Sequence, residues 1–295
     1  MDRIAERAQG APQERFTALA PPLTEGCLRD TYLLMNRHGA PGVDRVRMTT
    51  HGQHLEDRLA DLVARLKRGA YRAPPVRRTH IPKAGHPAKL RPVGIPTVED
   101  RRRPAAVARV LGAIYEPVFQ DSSFGCRPGR SAHDAWHRVR QAVQGGRGPY
   151  VYEADIRGFF DHLDHAWLLR MLALKIGDPT ILRLIRQWLR AGIWDQGTVT
   201  HPEEGTPQGG PLSPLLANVY LHYVLDLWFA HAVRPRLKGA AGLVRYADDC
   251  APRRRRAGVT ARRHAVPEMR GGPSKPPYRG RFQTTVSGSG QKPGS

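Results

Sequence analysis

The stretch Gly242-Leu243-Val244-Arg245-Tyr246-Ala247-Asp248-Asp249 decides how this chain is read. A short, mainly apolar run ends in two adjacent acids. Neighbouring carboxylates repel by ~4 kcal/mol at 4 Å and an effective dielectric of 20. A chain tolerates that in water, or around a cation that uses it. Taken alone the pair is weak evidence, because most such pairs are surface or turn acids.

Far upstream, Val151-Tyr152-Glu153-Ala154-Asp155 alternates and predicts a strand that also ends in an acid. If the two strands are neighbours in one sheet, Asp155, Asp248 and Asp249 converge. Hard oxygen ligands in that number suit Mg²⁺, which keeps waters and substrate phosphates as its other ligands. Two such ions ~3.5–4 Å apart can activate a 3′-hydroxyl and stabilise a leaving pyrophosphate.

Two further segments carry chemistry. Residues 205–218 run from Gly205-Thr206-Pro207-Gln208-Gly209-Gly210-Pro211 into an apolar helix. Glycines admit a ligand close to the backbone, and Pro211 suits a helix N-terminus, where free N–H groups favour anions. An ordinary loop-to-helix junction explains the same residues. Thr79-His80-Ile81-Pro82-Lys83 and Lys89-Leu90-Arg91-Pro92-Val93-Gly94-Ile95 read as two arms of a basic hairpin. Cations there can clamp a triphosphate, or simply form a solvated edge.

Charge narrows the partners. Lys+Arg number 47 against 26 Asp+Glu, a net charge of +21. Phosphate neutralisation is what such a surplus does best, so nucleic acid is the first candidate. Arg outnumbers Lys 40 to 7, which suits bidentate phosphate contacts, although a coding bias explains it equally. Cys27, Cys126 and Cys250 are isolated, so neither a zinc knuckle nor a disulfide framework is indicated. The N-terminus has no apolar signal core and no run of 18 apolar residues exists. A cytoplasmic protein with no membrane partner is expected, associated with the nucleoid when bound to nucleic acid.

Periodicity predicts helices over about 53–68, 99–119, 131–143, 164–175, 180–190 and 212–233. The expected divisions are a helical N-terminal extension over 1–70, a second region over 71–150, a third over 151–250 and a tail over 251–295. The tail carries 11 Lys+Arg and one acid, and Pro, Gly and Ser make 17 of its 45 residues. It is expected to be disordered.

Together these segments resemble a group II intron-encoded reverse transcriptase. The matching stretches include Gly42-Val43-Asp44, Ile81-Pro82-Lys83, Leu90-Arg91-Pro92-Val93-Gly94-Ile95-Pro96, Phe124-Gly125-Cys126-Arg127-Pro128-Gly129-Arg130-Ser131, Ala154-Asp155-Ile156-Arg157-Gly158-Phe159-Phe160-Asp161, residues 206–221 and Tyr246-Ala247-Asp248-Asp249. The resemblance covers roughly 40–249. It implies an α+β right-hand polymerase, with fingers over 71–150 and an antiparallel palm sheet flanked by helices over 151–250. The implied partners are an RNA template, a DNA primer, dNTPs and group II intron RNA. The implied cofactor is a pair of Mg²⁺ ions. By the same resemblance Asp155, Asp248, Asp249 and the Ile156 carbonyl hold the metals. Phe160 blocks a ribose 2′-hydroxyl, Gln208 and Gly209 line the dNTP pocket, and Lys83 and Arg91 contact the triphosphate. Arg127 and Arg130 are assigned to the template by charge alone.

The family departs from this chain after the acid pair. Its next strand is apolar, whereas here Cys250-Ala251-Pro252-Arg253-Arg254-Arg255-Arg256 follows. Proline and four arginines predict that no interior strand forms there. The thumb and maturase segments are expected to be missing, by frameshift or truncation. Two other readings stand beside polymerisation: a non-catalytic, maturase-like binder of intron RNA, and an inactive remnant.

Overall fold

The computed structural model describes residues 2–11, 13–19, 24–83, 86–144, 150–156, 158–206, 209–237, 241–254 and 282–287. In chain order the helices and strands are α1 (Asp2–Gly10), α2 (Glu25–Leu33), α3 (Met48–Gly52), α4 (Leu55–Lys67), β1 (Val76–Lys83), β2 (His86–Ile95), α5 (Val98–Tyr115), α6 (Ala132–Gln144), β3 (Tyr150–Ile156), α7 (His165–Ala173), α8 (Pro179–Leu189), β4 (Ile193–Asp195), β5 (Thr198–Thr200), α9 (Ser213–Leu221), β6 (Ala241–Tyr246), β7 (Asp249–Arg254) and β8 (Phe282–Ser287). The chain forms two compact units, each from two stretches. One comprises 1–118 and 163–216, the other 119–162 and 217–295.

In the first unit, β1 and β2 pair antiparallel as the expected basic hairpin, with Ile81 opposite Arg91. The sheet continues through β4 and β5 in the order β2-β1-β4-β5. Helix α5 is the buried spine. Thr97 caps it by accepting from the Asp100 N–H at 3.2 Å, and Glu99 and Asp100 put negative charge at its positive end. Asp100 accepts from the Tyr71 hydroxyl at 2.6 Å and from Arg103 at 2.6 Å. The indole N–H of Trp188, on α8, donates to the Tyr71 oxygen at 3.0 Å. This network joins α5 to α8 through Tyr71. Asp178 caps α8 from Thr180 and Ile181 with one carboxylate oxygen and accepts from the Leu19 N–H with the other. The N-terminal segment is thereby tied to the α7–α8 turn.

The second unit is an antiparallel sheet in the order β6-β7-β3-β8. Helix α6 packs Ala135 and Val139 on Phe124 and Val244. Ser131 and Asp134 cap α6 reciprocally, the Asp134 N–H donating to the Ser131 hydroxyl and the Ser131 N–H to the Asp134 carboxylate. The expected helix over 212–233 begins as α9 and continues as two π-helical turns, His222–Asp226 and Phe229–Val233.

One expectation is overturned. Residues 249–254 form β7, an interior strand between β6 and β3. Pro252 sits opposite Leu243 of β6. On the β3 side, pairs form at Cys250, Arg253 and Arg254, and residues 251 and 252 form none. The ladder skips the position where proline has no N–H to give, so the strand survives its proline. Residues 282–287 also pair, as β8 along β3. The rest of the predicted disordered tail lies outside the described residues.

Candidate active site

The acid pair lies in the tight turn of the β6–β7 hairpin. Tyr246 pairs with Asp249, leaving Ala247 and Asp248 as a two-residue loop. Such loops require positive φ at the first position, and Ala247 has φ 54°. For a residue with a Cβ that costs about 1–2 kcal/mol, so the surroundings must enforce it.

They do so on two sides. Gly125 lies against the turn: a Cβ there would sit 2.8 Å from the Tyr246 carbonyl carbon and 3.1 Å from the Ala247 Cα. Only glycine permits that approach. From the other side comes Arg245, which is fully buried. Its Nε and Nη2 donate to the two oxygens of Asp226 at 2.8 and 2.7 Å, and Nη1 donates to Asn218 Oδ1 at 2.8 Å and to the Ala247 carbonyl at 2.9 Å. Asn218 Nδ2 in turn donates to the Gly125 carbonyl at 2.9 Å. Sequence reading missed Arg245, Asn218 and Asp226. The available signal was an arginine inside an otherwise apolar strand.

Strand β7 carries the turn to β3. Ala154 pairs with Cys250, and the Cys250 thiol donates to the Ala154 carbonyl at 3.2 Å. Continued by one residue beyond the Ala154–Cys250 pair, that register sets Asp155 level with Asp249. The main chain therefore brings the three predicted acids to one end of one sheet. Ile156 is buried beside them. Asp248 is half-buried and Asp249 exposed, and the side chain of Asp155 lies outside the described residues. Partial desolvation, and after it the charge of Asp248, push the Cys126 thiol up. Among the described residues no three acid, histidine or cysteine side chains stand grouped as a metal site. Carboxylates and a main-chain carbonyl at neighbouring register positions are nevertheless the donor set a hard divalent cation takes.

The other predicted residues divide. Phe159 is buried, with its ring centroid 6.1 Å from Tyr220, and is the core aromatic. Phe160 is half-buried, 5.3 Å from Phe159. Arg91 is exposed on β2 in the first unit, and Lys83 ends β1, its side chain outside the described residues. Gln208 also lies outside them. Gly209, at φ 106°, crosses β2 so closely that a Cβ would meet the Gly94 carbonyl oxygen at 2.9 Å. Arg127, expected at the template, is buried instead. It donates to the Gln120 and Ser123 carbonyls at 2.8 Å and lies over the Phe119 ring. Arg130 donates to the Asp121 carbonyl and carboxylate and lies over Phe124. Both arginines hold the 120–130 loop that delivers Gly125 to the turn.

The pattern of the family described as "Reverse transcriptase (RNA-dependent DNA polymerase)" matches residues 81–252, more than half of the chain. The chain belongs to the reverse transcriptase family. The chain is 44% identical over 236 residues to the group II intron-encoded protein LtrA of Lactococcus lactis subsp. cremoris, covering 77% of the chain and 38% of LtrA. It is 36% identical over 237 residues to protein YkfC of Escherichia coli K12, covering 71% of the chain and 62% of YkfC. The chain thus spans well under half of LtrA and under two thirds of YkfC. A solved partial Cas6-RT-Cas1–Cas2 complex aligns over 82% of this chain and 39% of the matched chain, at 23% identity and a TM-score of 0.49. Among the described residues no helix is long and apolar enough to cross a membrane.

Proposed function

We propose that this chain is the polymerising part of a group II intron-encoded protein, and that it extends a DNA primer on an RNA template during intron mobility. The observation that carries the proposal is the acid turn, closed by β7 and set in register with the strand that ends at Asp155 and Ile156. Its family membership supplies the reaction class.

In this reading Asp155, Asp248 and the Ile156 carbonyl would hold two Mg²⁺ ions, with Asp249 in support. Bound there, the ions would favour a deprotonated primer 3′-hydroxyl and neutralise charge on the phosphates. The chain's own residues do the rest. Phe160 stands where a bulky ring excludes a 2′-hydroxyl, and Lys83, Arg91, Gln208 and Gly209 contact the dNTP. The basic surplus holds template and primer by their phosphates. In this reading the palm is 151–250 and the fingers are 71–150, with the β1–β2 hairpin among the fingers. Primer extension on poly(rA)/oligo(dT) with Mg²⁺ tests the reading. Salt-sensitive RNA binding without incorporation would instead favour the maturase-like binder.

A further inference from the structure

We propose that Arg245 is the positioning residue of the acid turn, acting through the main chain of Ala247 and held to that task by Asp226 and Asn218. The proposal rests on the polymerase reading only for its kinetic readout.

Four of the five guanidinium N–H donors are committed: two to Asp226, one to Asn218 and one to the Ala247 carbonyl. The bidentate grip of Asp226 fixes the plane of the guanidinium, so the direction in which Nη1 points is no longer free. Asp226 ends a π-helical turn. Such a turn re-aims a helical side chain by inserting one residue, and it recurs at functional sites.

The peptide plane transmits the effect. The Ala247 carbonyl and the nitrogen and Cα of Asp248 lie in one rigid unit. Holding that carbonyl at 2.9 Å therefore orients the start of Asp248. The preceding peptide, Tyr246–Ala247, is pinned by Gly125. Asn218 ties the two together, donating to the Gly125 carbonyl while accepting from Arg245. The two peptides on either side of Ala247 are thus clamped by one buried network. A plain structural ion pair has no need to touch the carbonyl of a catalytic loop.

The test compares the wild-type chain with Asn218→Ala and Arg245→Lys. Hydrogen exchange across 241–254 is followed by mass spectrometry, and single-nucleotide extension is measured against dNTP and Mg²⁺. In Asn218→Ala, exchange at 246–249 is expected to rise about tenfold. The same variant is expected to lose about 100-fold in kcat, with dNTP KM unchanged within about twofold. Lysine at 245 keeps the charge without the fork, and an intermediate loss is expected. Tyr71→Phe, which removes buried hydrogen bonds in the other unit, should leave exchange across 241–254 unchanged. Equal exchange in Asn218→Ala and wild type overturns the clamp, as does a loss confined to dNTP KM. If the wild-type chain incorporates nothing, the polymerase reading fails, and exchange alone decides the clamp.

Discussion

Gly125 and Ala247 meet backbone to backbone beside the acid pair Asp248-Asp249, with no room between them for a Cβ. The obstructing atoms are main chain, so no flexible side chain can yield. Gly125→Ala must push the turn or its own loop aside. The variant should lose about 100-fold in single-turnover incorporation and about 1–3 kcal/mol of stability. Thermal melting and rapid-quench extension check the two numbers separately.

The ion pair Arg245–Asp226 has no solvent exposure on either side. Breaking it from one end leaves a buried charge unpaired. Asp226→Asn should therefore cost about 3–5 kcal/mol in denaturant unfolding. Asp226→Leu combined with Arg245→Met should cost far less than the two single changes added together. The double variant should still be inactive, because no donor then reaches the Ala247 carbonyl.

Much of this fold could be read from the chain itself. The proline-rich hairpin, the amphipathic α4 and the alternating β3 each carry their period within a few residues. The stretches leading to Asp155 and to the acid pair read as strands from their own residues. What could not be read depended on distant partners. Strand β7 looks wrong locally, yet it is paired on both sides, by β6 and by β3 from about 100 residues earlier. Strands β4 and β5 have three residues each, too few to show alternation. Arg245 passed as incidental in an apolar run, because its partners lie 19 and 27 residues back in the chain. Arg127 shows the converse: charge suggested a template contact, and packing gave it carbonyls to hold instead.

His51 makes stability depend on acid. It is buried on α3, its ring 6.0 Å from that of Tyr32. Burial first, then the charges of Arg102 and Arg58, hold its pKa below 6.5. The folded state therefore takes up the proton less readily than the unfolded chain. Its contribution is complete above the unfolded pKa and is lost as pH falls towards the depressed folded value. Melting temperatures should drop between about pH 7 and pH 5, and His51→Gln should flatten that drop.

Phe160 predicts substrate choice. Its half-buried ring is backed by Phe159, so it cannot retreat without disturbing the core. Phe160→Val should raise ribonucleotide incorporation relative to deoxynucleotide by at least about tenfold. Competition between dTTP and UTP on a poly(rA) template measures the ratio. An unchanged ratio would leave Phe160 as packing alone.

Asp248 sits in a turn that β7 closes and that Arg245 and Gly125 hold. Primer extension on poly(rA)/oligo(dT) with Mg²⁺, comparing the chain as it stands with Asp248→Ala, tests this most directly. Incorporation by the wild-type chain, abolished in Asp248→Ala while both proteins melt alike, is the predicted result. Equal incorporation by the two proteins would contradict it.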